Sequence, residues 1–585
     1  MLVGQPQFEI ISDLLKEIYS NHAEKEIKEF MSQLIQILKG KIDKKCSNNK
    51  NIYHAWDSSS AILITYPDGV FRKGESTLKT LSELVDKEIG ELSTVLHILP
   101  FLESTSDGGF AVSSHEQINS RFGDWEDLKK LSENHYLMAD LVLNHVSSSH
   151  PWVQQFIQCE SPGESYILSP QDINGWNKVI RPRSSALFTP LITDKGLKNV
   201  WTTFGPDQID LDWHNPFVLL EFIKLVDRYI SNGVCWIRLD AIAFIWKELN
   251  TSCLHRDQVH KLVKVIRVLL LSLNSDGVLI TETNVPEEEN LSYLRTGDEA
   301  HLAYNFPLPP LLLEALFTDK ADLVNKWLSD WPSLPENTTF LNFTASHDGI
   351  GLRALEGLMS QQRFHELLVN CEKRGGLISH RKIENGEDCP YELNISWWSA
   401  MADAGLDPRN LQIQRFLLSQ LFTMSLKGIP AFYLQSLLAS ENDLTSFGMS
   451  GQRRDLNREK FEANTLFTKL NDKNSLESRI LKTLKSAMKV RSELVEFHPE
   501  SPMSCLTKNR SDFVIISRGE NSNKVWAIHN MTRMRLTLCL SENLMTKHSL
   551  QKNKWKDCLN NQIVTGNYLE LSPYNVRWMK RVIDV

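Results

Sequence analysis

The sequence lacks any apolar run approaching the ~18 residues expected of a membrane-spanning helix. It has no long basic block, and its 64 basic residues are outnumbered by 72 acidic ones, leaving a net charge of −8. That balance argues against nucleic acid as a partner. The opening stretch, MLVGQPQFEIISDLL, has no charged segment followed by an apolar one, so no secretory signal is expected. The nine cysteines are scattered and form no CxxC pair, a pattern of reduced thiols in a cytoplasmic protein. HExxH, P-loop and GxGxxG motifs are absent, which removes the common zinc and nucleotide sites. There are no internal repeats and no low-complexity tracts.

What is present is a chain of 585 residues with 42% hydrophobic content, too long for one compact domain. Residues 7–45 are helical in pattern, with one stripe of Ile10, Ile11, Leu14, Leu15 and Ile18 and another of Phe30, Leu34, Ile35 and Leu38. Lys41 to Asn51 reads as a loop. From about Ala61 strands and helices alternate. Val95 to Phe101 is a strand, and Trp125 to His135 is a helix. Pro216 to Gly233 is a helix with Pro in its first turn and Gly at its end, and His260 to Leu273 is another. This alternation predicts a parallel sheet closed as a (β/α)8 barrel.

Two stretches break the alternation. Ser147 to about Asn215 is rich in Ser, Pro, Gly and Trp and reads as a domain inserted after the third strand. Beyond about Ser501 come short alternating strands, a small antiparallel β-domain. The expected organisation is therefore an N-terminal helical extension (1–55), a barrel (56–146 and 216–500), an inserted domain (147–215) and a C-terminal β-domain (501–585).

Four segments of the barrel end in charged residues: DLVLNH (Asp140 to His145), WIRLDAIAF (Trp236 to Phe244), LITETN (Leu279 to Asn284) and FTASHDG (Phe343 to Gly349). Buried strands of this kind deliver their charged ends to the C-terminal mouth of a barrel. Asp240, Glu282 and Asp348 would then converge. Retaining exchange of a glycosidic bond needs two carboxyl groups ~5 Å apart, one as nucleophile and one as acid/base. Arg238, two residues before Asp240 on the same strand face, would keep a nucleophile ionised. Glu282 suits the acid/base role, its pKa raised by burial and like charge. Asp348 could stabilise the charged sugar, with His145 and His347 as hydroxyl partners. Taken singly each motif is weak, since an Asp after an apolar run is more often a strand end or a cap. Their combination and order carry the reading.

That combination resembles the α-amylase superfamily of retaining α-glucoside enzymes over about residues 50 to 580. By position in its motifs, Asp240 matches the nucleophile, Glu282 the acid/base and Asp348 the transition-state stabiliser. Arg238, His145 and His347 match sugar-binding residues. Further segments look like the sucrose phosphorylase subfamily: SDGGFAV, IRPRSSALF, WTTFGPDQIDLDWHNP, PYELNISWWSAM and GQRRDLNREKF. Within them the resemblance implies donor-glucose contacts for Asp107 and Arg458, phosphate binding for Arg183, and acceptor-site positions for Phe204 and Phe244. Arginine suits phosphate because it offers paired charged hydrogen bonds. Arg374, His380 and Arg381, around Gly375–Gly376, are expected in a mobile loop over the acceptor site. Glu392 stands where sucrose phosphorylases usually carry Gln, and the Trp201 to Pro216 and PYELN segments look more like the glucosylglycerate phosphorylase branch.

The resemblance implies a phosphorylase that converts a small α-glucoside and inorganic phosphate to α-glucose 1-phosphate. The glucoside would be glucosylglycerate, sucrose or a phosphorylated sucrose. A hydrolase or transglucosidase on the same scaffold is the alternative. Many superfamily members bind calcium near the residue matching Asn144, but the phosphorylase branch does not usually depend on it. No metal and no cofactor is therefore expected, only phosphate as co-substrate. The enzyme would be a monomer or homodimer. Trp397 and Trp398 could stack on sugar or pack in the core.

Overall fold

The computed structural model describes residues 6–39, 41, 56–382, 387–403, 409–521, 523–544 and 554–582. Eight parallel strands close into a barrel: Ile62–Thr65, Val95–Ile98, Tyr136–Val142, Val234–Asp240, Val278–Thr281, Leu302–Tyr304, Thr339–Phe343 and Ile429–Tyr433. Each pairs with its neighbours in sequence order, and the eighth pairs with the first. Nearly every residue in them is buried. That explains their unbroken apolar runs, because a barrel strand faces side chains within and helices without. The (β/α)8 expectation holds.

Local sequence sets the connections. Asn215 caps the helix Pro216–Ser231, its side chain accepting from Phe217 N (3.0 Å), and Pro216 fills the first turn. Gly233, at φ +90°, turns this helix into the fourth strand, and a Cβ there would lie 2.1 Å from Ser132 Oγ. Only glycine satisfies both demands.

Helices Pro6–Ile18 and Glu24–Leu38 form a hairpin against the barrel helices Asp257–Leu273 and Pro216–Ser231. Its apolar stripe is narrower than expected: Ile11, Leu15 and Ile18 are buried, whereas Ile10 is exposed. Glu17 pairs with Lys261 at 2.9 Å. The loop expected over Lys41 to Asn51 lies, beyond Lys41, outside the described residues.

Between the third strand and its helix, Phe188–Thr193 pairs with Gly196–Trp201, and His145–Ser147 pairs with Gln208–Asp210. Near the C-terminus a six-stranded antiparallel sheet, from Met503–Cys505 to Val576–Val582, holds a separate apolar cluster. Arg518 anchors that sheet to the barrel, donating to the carbonyls of Ser425 (3.0 Å) and His498 (2.7 Å). Among the described residues no helix is long and apolar enough to cross a membrane.

The Gly375–Gly376 segment differs from expectation. It joins the helix Gln361–Lys373 to the strand Leu377–Lys382, which pairs with Asp388–Asn394. Arg374 turns inward: it donates to the carbonyls of Ala402 (2.6 Å) and Asn370 (3.0 Å), and its guanidinium lies 4.0 Å from the Phe317 ring. Arg381 pairs with Glu356 at 3.3 Å. None of Arg374, His380 and Arg381 lines the cleft at the barrel mouth. The glycine pair suggested a loop, but Arg374 donates to carbonyls at and beside the helix end. Trp397 and Trp398 are buried, and Trp397 Nε1 donates to Ser419 Oγ at 2.9 Å, so both belong to the core.

Candidate active site

The C-terminal ends of the barrel strands open into a cleft. Asp240, Glu282 and Asp348 all line it, delivered by the ends of the fourth, fifth and seventh strands. Arg238 lies beneath, fully buried. Its guanidinium contacts Asp140, reaches Asp240 at 2.8 Å and stands 3.4 Å from Glu282. Asp140 is in turn bonded to His97 Nε2 at 2.9 Å. One cation thus sits among three carboxylates. Ala241 takes φ +50°, and its N–H faces Glu282 Oε2 at 3.3 Å. A non-glycine residue there is strained, and the strain turns the chain sharply just after Asp240.

Electrostatics separates the three carboxylates. Burial is the largest influence on Asp240 and raises it; Arg238 pulls down, but Glu282, Asp140 and Asp348 push up, and the net direction is well above the usual range. Arg238 alone therefore does not fix its charge. Burial also raises Glu282, with Asp348 adding to it against Arg238. Burial would raise Asp348 too, yet Arg454, aided by His347, Arg238 and Arg458, holds it far below the carboxylate range. Burial lowers His347 to about 3 and lowers His145, so both are neutral hydrogen-bonding groups near pH 7.

Asp107 reaches the cleft from an unusual turn. Asp107, Gly108 and Gly109 all have positive φ (53°, 62° and 103°). A Cβ on Gly109 would lie 2.7 Å from the Pro100 carbonyl, which explains the glycine pair of SDGG. Gln208 Nε2 links this turn to the third-strand loop, lying 3.1 Å from Asp107 Oδ2 and 3.1 Å from His145 Nε2. Asp207, next to it, accepts from Thr105 (2.7 Å), Ser106 and Ser148 (2.5 Å). The segment between the third strand and its helix thereby holds two cleft residues, Asp107 and His145.

Aromatic rings form the outer wall. Phe204 stands edge-on to Phe244 at 5.6 Å, and the Arg183 guanidinium lies 5.7 Å above Phe204. Arg183 donates a long hydrogen bond to the Pro182 carbonyl (3.4 Å) and has no carboxylate partner among the described residues. Its neighbour Arg181 is committed to structure, donating to the carbonyls of Thr202 (3.0 Å) and Thr203 (3.0 Å). Of the two arginines in RPR, only Arg183 faces the cleft.

Arg458 sits behind the site. Its Nε donates to the His347 carbonyl (2.9 Å) and its guanidinium lies 5.4 Å from the Tyr66 ring, but it does not line the cleft. Arg454, four residues earlier, does. It pairs with Asp348 at 2.6 Å and with Glu392 at 2.8 Å. Sequence reading missed Arg454, Gln208, Asn284 and Tyr391 as cleft residues, although all four lie inside the quoted segments.

Beside Asn144 a polar cradle is already filled. Lys247, buried, places Nζ 2.7 Å from Asp210 Oδ2 and 2.7 Å from Asn144 Oδ1. Among the described residues no cluster of three or more His, Cys, Asp or Glu could hold a metal ion.

Comparison with known proteins fits this architecture. Residues 80–363 match the α-amylase catalytic domain. A glucosylglycerate phosphorylase of Allomeiothermus silvanus is 38% identical over 494 residues, 84% of this chain and 88% of the relative. One from Escherichia coli is 31% identical over 574 residues, 97% of this chain and 99% of the relative. Among solved structures, sucrose 6F-phosphate phosphorylase from Thermoanaerobacter thermosaccharolyticum superposes with a TM-score of 0.70 at 24% identity, covering 81% of this chain and 94% of that one. The barrel, the carboxylate-lined cleft and these relatives together establish that the chain belongs to the α-amylase family, in its group of glycoside phosphorylases.

Proposed function

We propose that the protein is a retaining α-glucosyl phosphorylase that cleaves a small α-glucoside with inorganic phosphate. Its best-fitting donor is glucosylglycerate. The observation that carries this reading is Arg183: a guanidinium at the cleft without a carboxylate partner, beside three convergent carboxylates. A hydrolase needs no such cation, whereas a phosphorylase must hold an anion next to the reacting carbon. The aglycone of glucosylglycerate is itself a carboxylate, so the same cation suits the leaving and the incoming group. The two glucosylglycerate phosphorylase relatives support that choice.

In the first step Asp240 attacks the anomeric carbon and forms a β-glucosyl ester. Glu282 gives its proton to the departing glycosidic oxygen. Of the two raised carboxyls, Asp240 has the shorter contact with Arg238, which favours negative charge there and the proton on Glu282. In the second step a phosphate oxygen attacks the same carbon, the bond to Asp240 breaks, and Glu282 takes the phosphate proton. Two inversions give α-glucose 1-phosphate. Asp348, held ionised by Arg454, stabilises the positive charge developing on the sugar. Asp107, His145 and His347 are the proposed glucosyl contacts; Phe204 and Phe244 wall the acceptor side. Arg458 acts from behind, through His347.

We further propose that no calcium is needed, because the Lys247 ammonium neutralises Asp210 beside Asn144. The test is incubation of purified protein with glucosylglycerate, sucrose, sucrose 6′-phosphate and glucosylglycerol, each with and without phosphate. Phosphate-dependent glucose 1-phosphate from glucosylglycerate is expected. Free glucose at a rate indifferent to phosphate would mean a hydrolase.

A further inference from the structure

Glu392 stands where sucrose phosphorylases usually carry Gln, yet it does not line the cleft. Its side chain is only 4% exposed and is fully engaged. Oε1 accepts from Arg454 Nε (3.0 Å) and Asn394 Nδ2 (2.7 Å); Oε2 accepts from Arg454 Nη2 (2.8 Å). Asn394 is fixed in turn by Ser379 Oγ (2.6 Å). The third guanidinium nitrogen, Arg454 Nη1, lies 2.6 Å from Asp348 Oδ1. Arg454 is thus held by a fork on one side and meets Asp348 on the other.

The backbone is shaped for this contact. Gly349, directly after Asp348, is where a Cβ would fall 2.1 Å from Glu392 Cγ. Glycine there leaves the space that the Glu392 side chain fills. Three loops meet at this point: Asp348 follows the seventh barrel strand, Glu392 lies on the strand Asp388–Asn394, and Arg454 lies in the turn Arg453–Asn457 after the eighth. No two of them are near in sequence; backbone pairing of Gly351 opposite Glu392 brings two of the segments together, and the side-chain contacts align the three charged groups.

We propose that Glu392 is a positioning residue: its buried carboxylate fixes the Arg454 guanidinium against Asp348, committing that cation to the glucosyl side of the cleft and leaving Arg183 to the transferred anion. Gln at this position would keep the shape but not the function. Its amide offers one acceptor oxygen and points N–H groups at a donor that has no lone pair to receive them. Arg454 would lose its paired, charge-assisted fork and its fixed plane. Asp348 would then lose a steady partner, and the cleft would gain net positive charge. The groups that set the charge state of Asp348 are Arg454, His347, Arg238 and Arg458, with Glu282, Asp240 and Glu392 itself opposite. Of the four cations, Glu392 touches only Arg454.

The inference rests on the glucosyl-transfer reading above, and the wild-type enzyme tests that reading separately. Whatever transfer the wild type performs, to phosphate or to water, is the reference for each variant. With Glu392→Gln, kcat should fall about 10-fold or more, while the KM for phosphate stays level or falls; this is the pattern of a lost transition-state contact. The kcat loss should hold across the pH range, because Asp348 lies so far below the carboxylate range that it stays ionised in the variant. Glu392→Asp, which keeps the charge on a shorter arm, should recover part of kcat. Arg454→Lys should reproduce the kcat loss, and adding Glu392→Gln to it should change little more. Should Glu392→Gln fold poorly, the Asp and Lys variants still decide the matter. The proposal is overturned if the variants keep kcat within twofold. It is also overturned if they raise only the acceptor or phosphate KM, the result of direct acceptor contact.

Discussion

Replacing Arg183 is the perturbation that most sharply separates phosphate transfer from hydrolysis. The guanidinium is braced over Phe204 and has no carboxylate partner among the described residues. Arg183→Ala therefore removes an anion contact without leaving a buried carboxylate stranded. Hydrogen bonds to a charged group contribute about 1.5–3 kcal/mol. A part-exposed site with one fork on phosphate should lose about 2–3 kcal/mol, which at 1.4 kcal/mol per decade is roughly a 30- to 140-fold rise in phosphate KM. Arg183→Lys keeps the charge but loses the fork, and a rise of about 10-fold is expected. The assay is initial-rate formation of glucose 1-phosphate from glucosylglycerate over a phosphate series, with free glucose measured in parallel. The ratio of free glucose to glucose 1-phosphate should rise as phosphate loses its hold. If glycerate uses the same cation, its KM in the synthetic direction should rise as well. A phosphate KM within twofold of wild type in Arg183→Ala, with an unchanged product ratio, would refute the assignment of the anion site.

Two other expectations concern stability and titration. Lys247→Met leaves the Asp210 carboxylate buried without its ammonium, and unfolding should become easier by about 3–5 kcal/mol, read by denaturant titration; chelator should not affect wild-type activity. Wild-type loss of activity on chelation would contradict the calcium-independent reading. Asp240 and Glu282 have folded pKa values raised above those of the unfolded chain, so the native state binds extra protons. Their contribution to stability is present in acid and is lost as pH rises through the raised folded values. Glu282→Gln, at the carboxyl that holds the proton, should accordingly raise the melting temperature more at pH 8 than at pH 5; an equal change at both would contradict the upward shift.

Much of the site was legible because barrel strands are short, buried and end where chemistry begins. Asp240, Glu282 and Asp348 follow apolar runs, and a strand end at the mouth can point only into the cleft. The same logic failed where function depends on contacts between distant segments. Arg454 meets Glu392 and Asp348 across separations of 62 and 106 positions, and nothing local in GQRRDLNR distinguishes it from Arg458. Gln208 likewise gains its place only when the segment after the third strand folds back onto Asp107. Arg374 was misjudged for the converse reason. The glycine pair beside it looked like a loop, but the φ of +78° at Gly375 marks the end of a helix that buries the arginine against Phe317.

The central claim is that glucose passes through an ester on Asp240 and leaves on phosphate. Exchange of labelled phosphate into α-glucose 1-phosphate, with no acceptor present, tests it most directly. Exchange needs both the glucosyl ester and a phosphate site, and it does not depend on which glucoside is the natural donor. The account predicts that label enters glucose 1-phosphate with α configuration kept, and that Asp240→Asn abolishes the exchange. Release of free glucose without incorporation of label, or exchange that persists in Asp240→Asn, would contradict it.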